Sequence, residues 1–215
     1  MKDYSNYHNV SINDKIAHDG KLIFEYGLDG FEGYTVQMDG TDKKVLIYNS
    51  FSDKQGTTKH VIGQIADIER GKTLLVNDDY WIIISKPDDN KIYRKASIRL
   101  CNSKFPLPGG TEVKTKIGND PRTGRPVYET VISPPTLLPC IVESTIYLPN
   151  DSQSIQLPNG KILVTIPYTV NDAIAENKEF EMYGEQYQIV GIDRSQSVEG
   201  VGLMILHCER EVSDE

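Results

Sequence analysis

The sequence predicts a mainly β protein, made of two tandem small β-barrel or β-sandwich domains with little helix. Three observations carry this. Short runs rich in β-branched and aromatic residues recur between Gly, Pro, Asn and Asp clusters. One such group of runs, Gly71 to Asn102, aligns without a gap with Asn177 to Cys208, 106 residues further on. No stretch longer than about twelve residues shows convincing helix periodicity. The chain therefore divides into residues 1–105 and 106–215, each near the usual size of a domain with its own core.

In the repeated unit the agreement is one of pattern. Leu74 and Val76 fall on Phe180 and Met182, Trp81 and Ile83 on Tyr187 and Ile189, and Ile98 and Leu100 on Met204 and Leu206. Lys72, Ile83 and Leu100 are identical to their counterparts. The Asp78-Asp79 turn falls on Gly184-Glu185, and Gln186 and Gln188 stand where the first copy has Tyr80 and Ile82. The first domain is thus expected to have both sheet faces covered, and the second to keep one face open to a neighbour.

Taken in order, residues 1–30 are ambiguous. Val10 to Ala17 suits a short helix, whereas Lys21 to Tyr26 alternates weakly. Tyr34 to Met38 and Val45 to Tyr48 flank the polar turn Asp39 to Asp42 and read as a hairpin. His60 to Ile68 follows, then the first repeat copy, in which Trp81 to Ile84 is apolar on both faces, as in a strand covered from each side. Pro87, Asp88 and Asn90 end that run. Ser103 to Gly110, rich in Pro and Gly, reads as the link between domains. In the second half, Glu112 to Ile117 and Val127 to Ile132 flank a Gly/Pro/Asn/Asp tip and form a hairpin at 112–132 that is expected to project. Cys140 to Tyr147 and Ile162 to Tyr168 are further strands, Asn171 to Glu176 suits one helical turn, and the second copy completes the domain.

Composition narrows the function. With 25% charged and 38% hydrophobic residues and no long apolar run, the chain is expected to be globular and outside the membrane. Its N-terminus lacks the basic and apolar regions of a signal peptide, which places synthesis and assembly in the cytoplasm. Cys101, Cys140 and Cys208 are too widely spaced for a zinc site or a disulfide framework. A net charge of −8 argues against binding nucleic acid through phosphate neutralisation.

Candidate chemistry is sparse. Ala66 to Thr73 matches a relaxed phosphate-loop pattern ending in Gly71-Lys72-Thr73. A true phosphate loop opens a helix whose N–H groups face the phosphates, whereas here Leu74 to Asp79 leaves room only for a short strand. A turn is the better reading. His8, His18, His60 and His207 are scattered, and the pairs Asp78-Asp79 and Asp88-Asp89 coincide with turns. No catalytic residue, cofactor or metal site is therefore expected, and the chain is read as not an enzyme. Lys114, Lys116, Arg122 and Arg125 form the densest basic feature of this acidic chain. With no aromatic residues interleaved among them, they suit docking to an acidic protein surface better than base stacking.

Gly71-Lys72-Thr73-Leu74 through Trp81-Ile82-Ile83, then Asn90 to Ala96 and Leu100-Cys101-Asn102, resembles the signature of neck proteins of tailed phages and prophages of Gram-positive bacteria, the head-closure or stopper type of head–tail connector. Tyr187 to Asp193 and Gly202 to Leu206 resemble, more loosely, the second domain of longer members. The resemblance implies a virion protein of the neck, a homo-oligomeric ring between portal/adaptor proteins and a tail-terminator or tail-tube protein. That ring would close the exit channel while genomic DNA passes without specific binding, and the hairpin would be an arm between subunits or rings. Two alternatives stay open: a tail or baseplate structural component, and a nucleotide-binding or hydrolytic enzyme using the 66–73 loop.

Overall fold

A computed structural model describes residues 11–50, 56–108, 112–119, 126–132, 135–147, 154–157 and 160–211. It begins with a helix, α1 (Ile12–Asp29), where the sequence suggested only a short one. Ser11 caps it by accepting a bond from the Asp14 N–H at 3.2 Å, and its hydroxyl donates to the Asp14 carboxylate at 2.8 Å. Seven strands follow: β1 (Gly33–Met38), β2 (Thr41–Asn49), β3 (Thr58–Gly63), β4 (Thr73–Val76), β5 (Asp79–Ile83), β6 (Asp88–Asp89) and β7 (Arg94–Leu100).

These strands make a closed barrel. The antiparallel path runs β3-β2-β1-β4-β5-β7, and β7 returns to β3 in the register Val61↔Ala96. Six strands thus leave no free edge in the main cylinder, while the short β6 pairs only with the start of β7. The expected hairpin turn is present, with Asp39 and Gly40 both at positive φ (49° and 76°), as a two-residue loop of this hand requires. Alternate residues fill the interior: Val36, Met38, Val45, Val61, Leu74, Val76, Trp81, Ile83 and Ile98 are all buried. Outside the barrel, Phe24 and Leu28 of α1 cover Leu46, and the Phe24 ring lies 5.2 Å from that of Tyr93.

The second domain starts earlier than its turn chemistry suggested. Ser103 to Leu107, expected as part of the linker, is a strand, β8 (Ser103–Leu107). Two strands, β9 (Glu112–Asn119) and β10 (Pro126–Ile132), then pair only with each other among the described residues. They pair antiparallel, as the two flanks of the expected hairpin should, with a register shift between Val127 and Tyr128. After β11 (Thr136–Glu143) comes a second small hairpin, β12 (Thr145–Tyr147) with β13 (Ser154–Gln156). The remaining strands are β14 (Lys161–Pro167), β15 (Glu179–Met182), β16 (Glu185–Asp193), β17 (Ser197–Val198) and β18 (Val201–Arg210).

The main sheet of this half runs β15-β16-β18-β14-β11-β8, antiparallel throughout. It curls until its two ends meet through the rings of Phe105 in β8 and Phe180 in β15, 4.8 Å apart, and encloses Val164, Ile166, Ile189, Met204, Leu206 and Cys208. Because β8 and β11 are antiparallel, the β9–β10 hairpin leaves the sheet at the Thr136 end of β11. The β12–β13 hairpin leaves at the opposite, Glu143 end.

The internal repeat is visible in backbone bonds. The Gly71 N–H donates to the Ile83 carbonyl at 2.9 Å and the Ile83 N–H to the Lys72 carbonyl at 3.0 Å. Their counterparts, Asn177 to Ile189 and Ile189 to Lys178, measure 2.8 and 2.9 Å. Equivalence fails in the third strand. Ile83 pairs with Ile98, but Ile189 pairs with Cys208 rather than Met204, because β16 and β18 are longer and carry a bulge between Ile189 and Gly191.

Candidate functional site

Several of the candidates of enzymatic type make structural contacts among the described residues. Gly71 and Lys72 use their N–H groups on the Ile83 and Glu69 carbonyls, so neither is left to cradle a phosphate. The Lys72 ammonium sits 3.2 Å from the Glu69 carboxylate and 3.5 Å from the Ala66 carbonyl, and Thr73 starts a strand. Asp89 accepts a bond from the Lys91 N–H at 2.8 Å and pairs with Arg94 at 3.1 Å. Those two contacts hold its carboxyl below the usual range, the backbone bond contributing most. Asp78, with φ of 70°, forms the β4–β5 turn. His60 faces the Ser97 hydroxyl at 3.3 Å, His18 lies beside Asp19 on the exposed side of α1, and His207 is exposed on β18. His8 lies outside the described residues. Among the described residues, no three His, Cys, Asp or Glu side chains gather as metal ligands would. Burial pushes the thiols of Cys101, Cys140 and Cys208 up to about 12, so they stay protonated and unreactive near neutrality.

Lys114 and Lys116 lie in β9, opposite Thr130 and Tyr128 of β10. Arg122 and Arg125 fall outside the described residues.

The surface that the sequence did not announce is the seam between the barrels. The outward face of β5 carries Ile82, fully buried against Ile141 of β11 and Leu203 of β18, with Ile84 and Cys101 around them. This explains why Trp81 to Ile83 is apolar on both faces: Trp81 and Ile83 enter the first core while Ile82 enters the seam. In the second barrel Gln186 is exposed and Gln188 half-buried, so the corresponding face stays open.

Polar contacts frame the apolar seam. The Asn102 amide donates to the Val142 carbonyl and accepts from the Val142 N–H, both at 2.8 Å, extending the β8–β11 ladder by one side chain. Arg99 pairs with Glu143 at 2.7 Å, and Arg70 reaches both the Ile84 carbonyl at 2.9 Å and the Gln196 side chain. At the closest point, backbone meets backbone: a Cβ on Gly71 would lie 1.9 Å from the Gly202 carbonyl oxygen. The glycine of the phosphate-loop-like motif is therefore required by contact between barrels as well as by its φ of +88°. Arg70, Lys86, Asp89, Gln196, Val198 and Glu199 line an open cleft of about 610 Å³ beside it.

Two family models match the chain, one over most of each barrel, with β8 in the gap between them. The model of the YomX N-terminal domain matches residues 6–100, and that of the YomX C-terminal domain matches residues 111–209. The chain belongs to the YomX family. A relative in this family, the SPbeta prophage-derived uncharacterized protein YomX of Bacillus subtilis (strain 168), is 40% identical over 214 residues, covering 100% of this chain and 99% of its own. No solved structure gives a significant match. In this YomX-family chain the excess negative charge is one-sided. Residues 1–105 carry 15 basic and 15 acidic side chains, whereas residues 106–215 carry 8 and 16.

Proposed function

We propose that this protein is of prophage origin and is a structural part of the virion rather than an enzyme. In this reading it forms a ring in the phage neck that joins portal and adaptor proteins to the tail and closes the DNA exit channel. The observation that carries it is the body plan: two small barrels fixed to each other by a buried seam, with two hairpins leaving the second barrel at opposite ends of β11. Such a body offers separate contacts above and below itself, as a link in a stacked assembly requires. The prophage-derived relative supports the phage context along the whole chain. The one-sided charge supports the channel, since an acidic second barrel facing the lumen repels DNA instead of holding it.

Purified full-length protein tests this by sedimentation and by pull-down against portal, adaptor and tail-terminator proteins of the same prophage. Assembly into a closed oligomer that binds one of them is the expected result. A protein that stays monomeric and binds none would overturn the ring. Binding to baseplate proteins alone would move the assignment to the tail tip.

A further inference from the structure

Helix α1 uses only part of its surface on the first barrel. Its seated half begins at Gly20, where a Cβ would meet the Ile92 side chain at 2.7 Å, and continues through the buried Phe24 and Leu28. Every residue from Ile12 to His18 is exposed, so about two turns of helix project beyond the barrel. Most helices are held by the packing of an apolar face. The projecting half of α1 has such a face, and none of the described residues covers it.

That face is a seam. Ile12, Ile16, Ile23 and Tyr26 are 79%, 64%, 72% and 76% exposed, and with Asp19 between them they alternate in steps of four and three residues, as in a two-helix contact. Phe31, fully exposed just beyond the helix, continues the stripe. Together these apolar side chains expose roughly 700 Å², more than the few hundred Å² of an ordinary surface patch and close to the ~800 Å² that each partner buries in a stable pair.

The stripe is complementary to a second copy of itself. In an antiparallel pair with the two Lys21 residues level, Ile16 lies level with Tyr26 of the other copy, and Ile12 with Gly30, beside Phe31. The projecting turns of each helix then cover the exposed Ile23, Tyr26 and Phe31 on the seated half of the other. Asp19 lies level with Ile23 of the other copy, and the two Asp19 carboxylates stand about one turn, ~6 Å, apart along the axis. A parallel pair would instead set Asp19 against Asp19.

We propose that unassembled copies of this chain pair through α1 in this antiparallel, two-fold arrangement. The contact does not rest on the ring reading, whose head-to-tail contacts have a different symmetry.

Cysteine crosslinking of the full-length chain tests the register, since its own three thiols are protonated and at least partly buried. An oxidised mixture of Ile16→Cys and Tyr26→Cys chains is expected to give a disulfide-linked dimer. Neither variant alone should do so, because its two new sulfurs would sit about ten residues, ~15 Å, apart along the pair. In sedimentation velocity, Ile16→Ser with Ile23→Ser should weaken pairing at least a hundredfold, since four apolar side chains leave the contact. In dilute solution, where copies separate, this variant should match the parent in circular dichroism, because both side chains are exposed in the single chain. No crosslink in the mixture, or one formed as readily by Ile16→Cys alone, refutes the pair and leaves the ring untouched. Crosslinking in the mixture alone, by a protein that forms no closed oligomer, supports the pair while counting against the ring.

Discussion

Replacing Gly71 by Ala separates two costs that the seam imposes on one residue. The first is local: at φ of +88° an L-residue is strained by about 1–2 kcal/mol. The second is between barrels. The new methyl would stand 1.9 Å from the Gly202 oxygen, with the Gly202 carbonyl carbon at 2.6 Å, so the two backbones must part by about 1 Å or more. A gap of about 0.5–1 Å forfeits roughly a quarter to a half of the dispersion attraction across it. Ile82, Ile141 and Leu203, each worth about 1.5–3 kcal/mol when buried, lie across that gap. The total is about 3 kcal/mol or more, which for a chain of this size lowers Tm by roughly 6–12 °C. Gly184→Ala is the control: its φ is +77°, and no atom lies within 4 Å of the new Cβ. It carries the local cost alone and should lower Tm by about 2–8 °C, less than Gly71→Ala in the same experiment. Scanning calorimetry reads both. Equal shifts for the two variants would refute the claim that Gly71 and Gly202 hold the barrels in contact.

Other outcomes follow from the same contacts. Removing either member of the half-buried Arg99–Glu143 pair, by Arg99→Met or Glu143→Gln, should cost about 1–2 kcal/mol, and a double-mutant cycle should return a coupling near 1 kcal/mol in denaturant unfolding. Glu185 accepts bonds from Arg210 and then Tyr187, which hold its carboxyl below its ordinary value of 4.5. A carboxyl lowered in the folded state stabilises above its unfolded pKa and loses that contribution as pH falls through the folded one. Stability measured from pH 5 downward should therefore fall less steeply in Glu185→Gln than in the parent. Ile16 and Ile23 are 64% and 72% exposed on α1, so Ile16→Ser and Ile23→Ser should each leave Tm within about 2 °C. A thiol reagent at pH 8 should modify Cys140 and Cys208 only after denaturation, since both are buried and protonated.

How much was legible varied with the physics of each element. Two-residue turns and strict alternation announced β1, β2, β14 and both copies of the repeated hairpin. The helix was blurred because it is apolar on two faces: Phe24 and Leu28 pack on the barrel, while Ile12, Ile16, Ile23 and Tyr26 are exposed elsewhere on its surface. That spread weakens the 3.6-residue period, although the Ser11 to Asp14 cap was present to be read. β8 was hidden by Pro106 and Pro108, which read as a linker but are tolerated at a sheet edge. The third strand of the repeat was misaligned because a bulge and longer strands shift its pairing without changing its apolar pattern. Among site residues, the turn reading of Gly71-Lys72-Thr73 agrees with its backbone bonds. The second partner of Gly71 was invisible, since a contact between two glycine backbones 131 residues apart leaves no mark in either local sequence.

A neck ring would be visible by electron microscopy of particles released when the prophage is induced. The expected result is density for paired barrels repeated around the axis between portal and tail, with the acidic second barrels facing the channel. Particles whose necks lack this protein, or which carry it only at the tail tip, would contradict it.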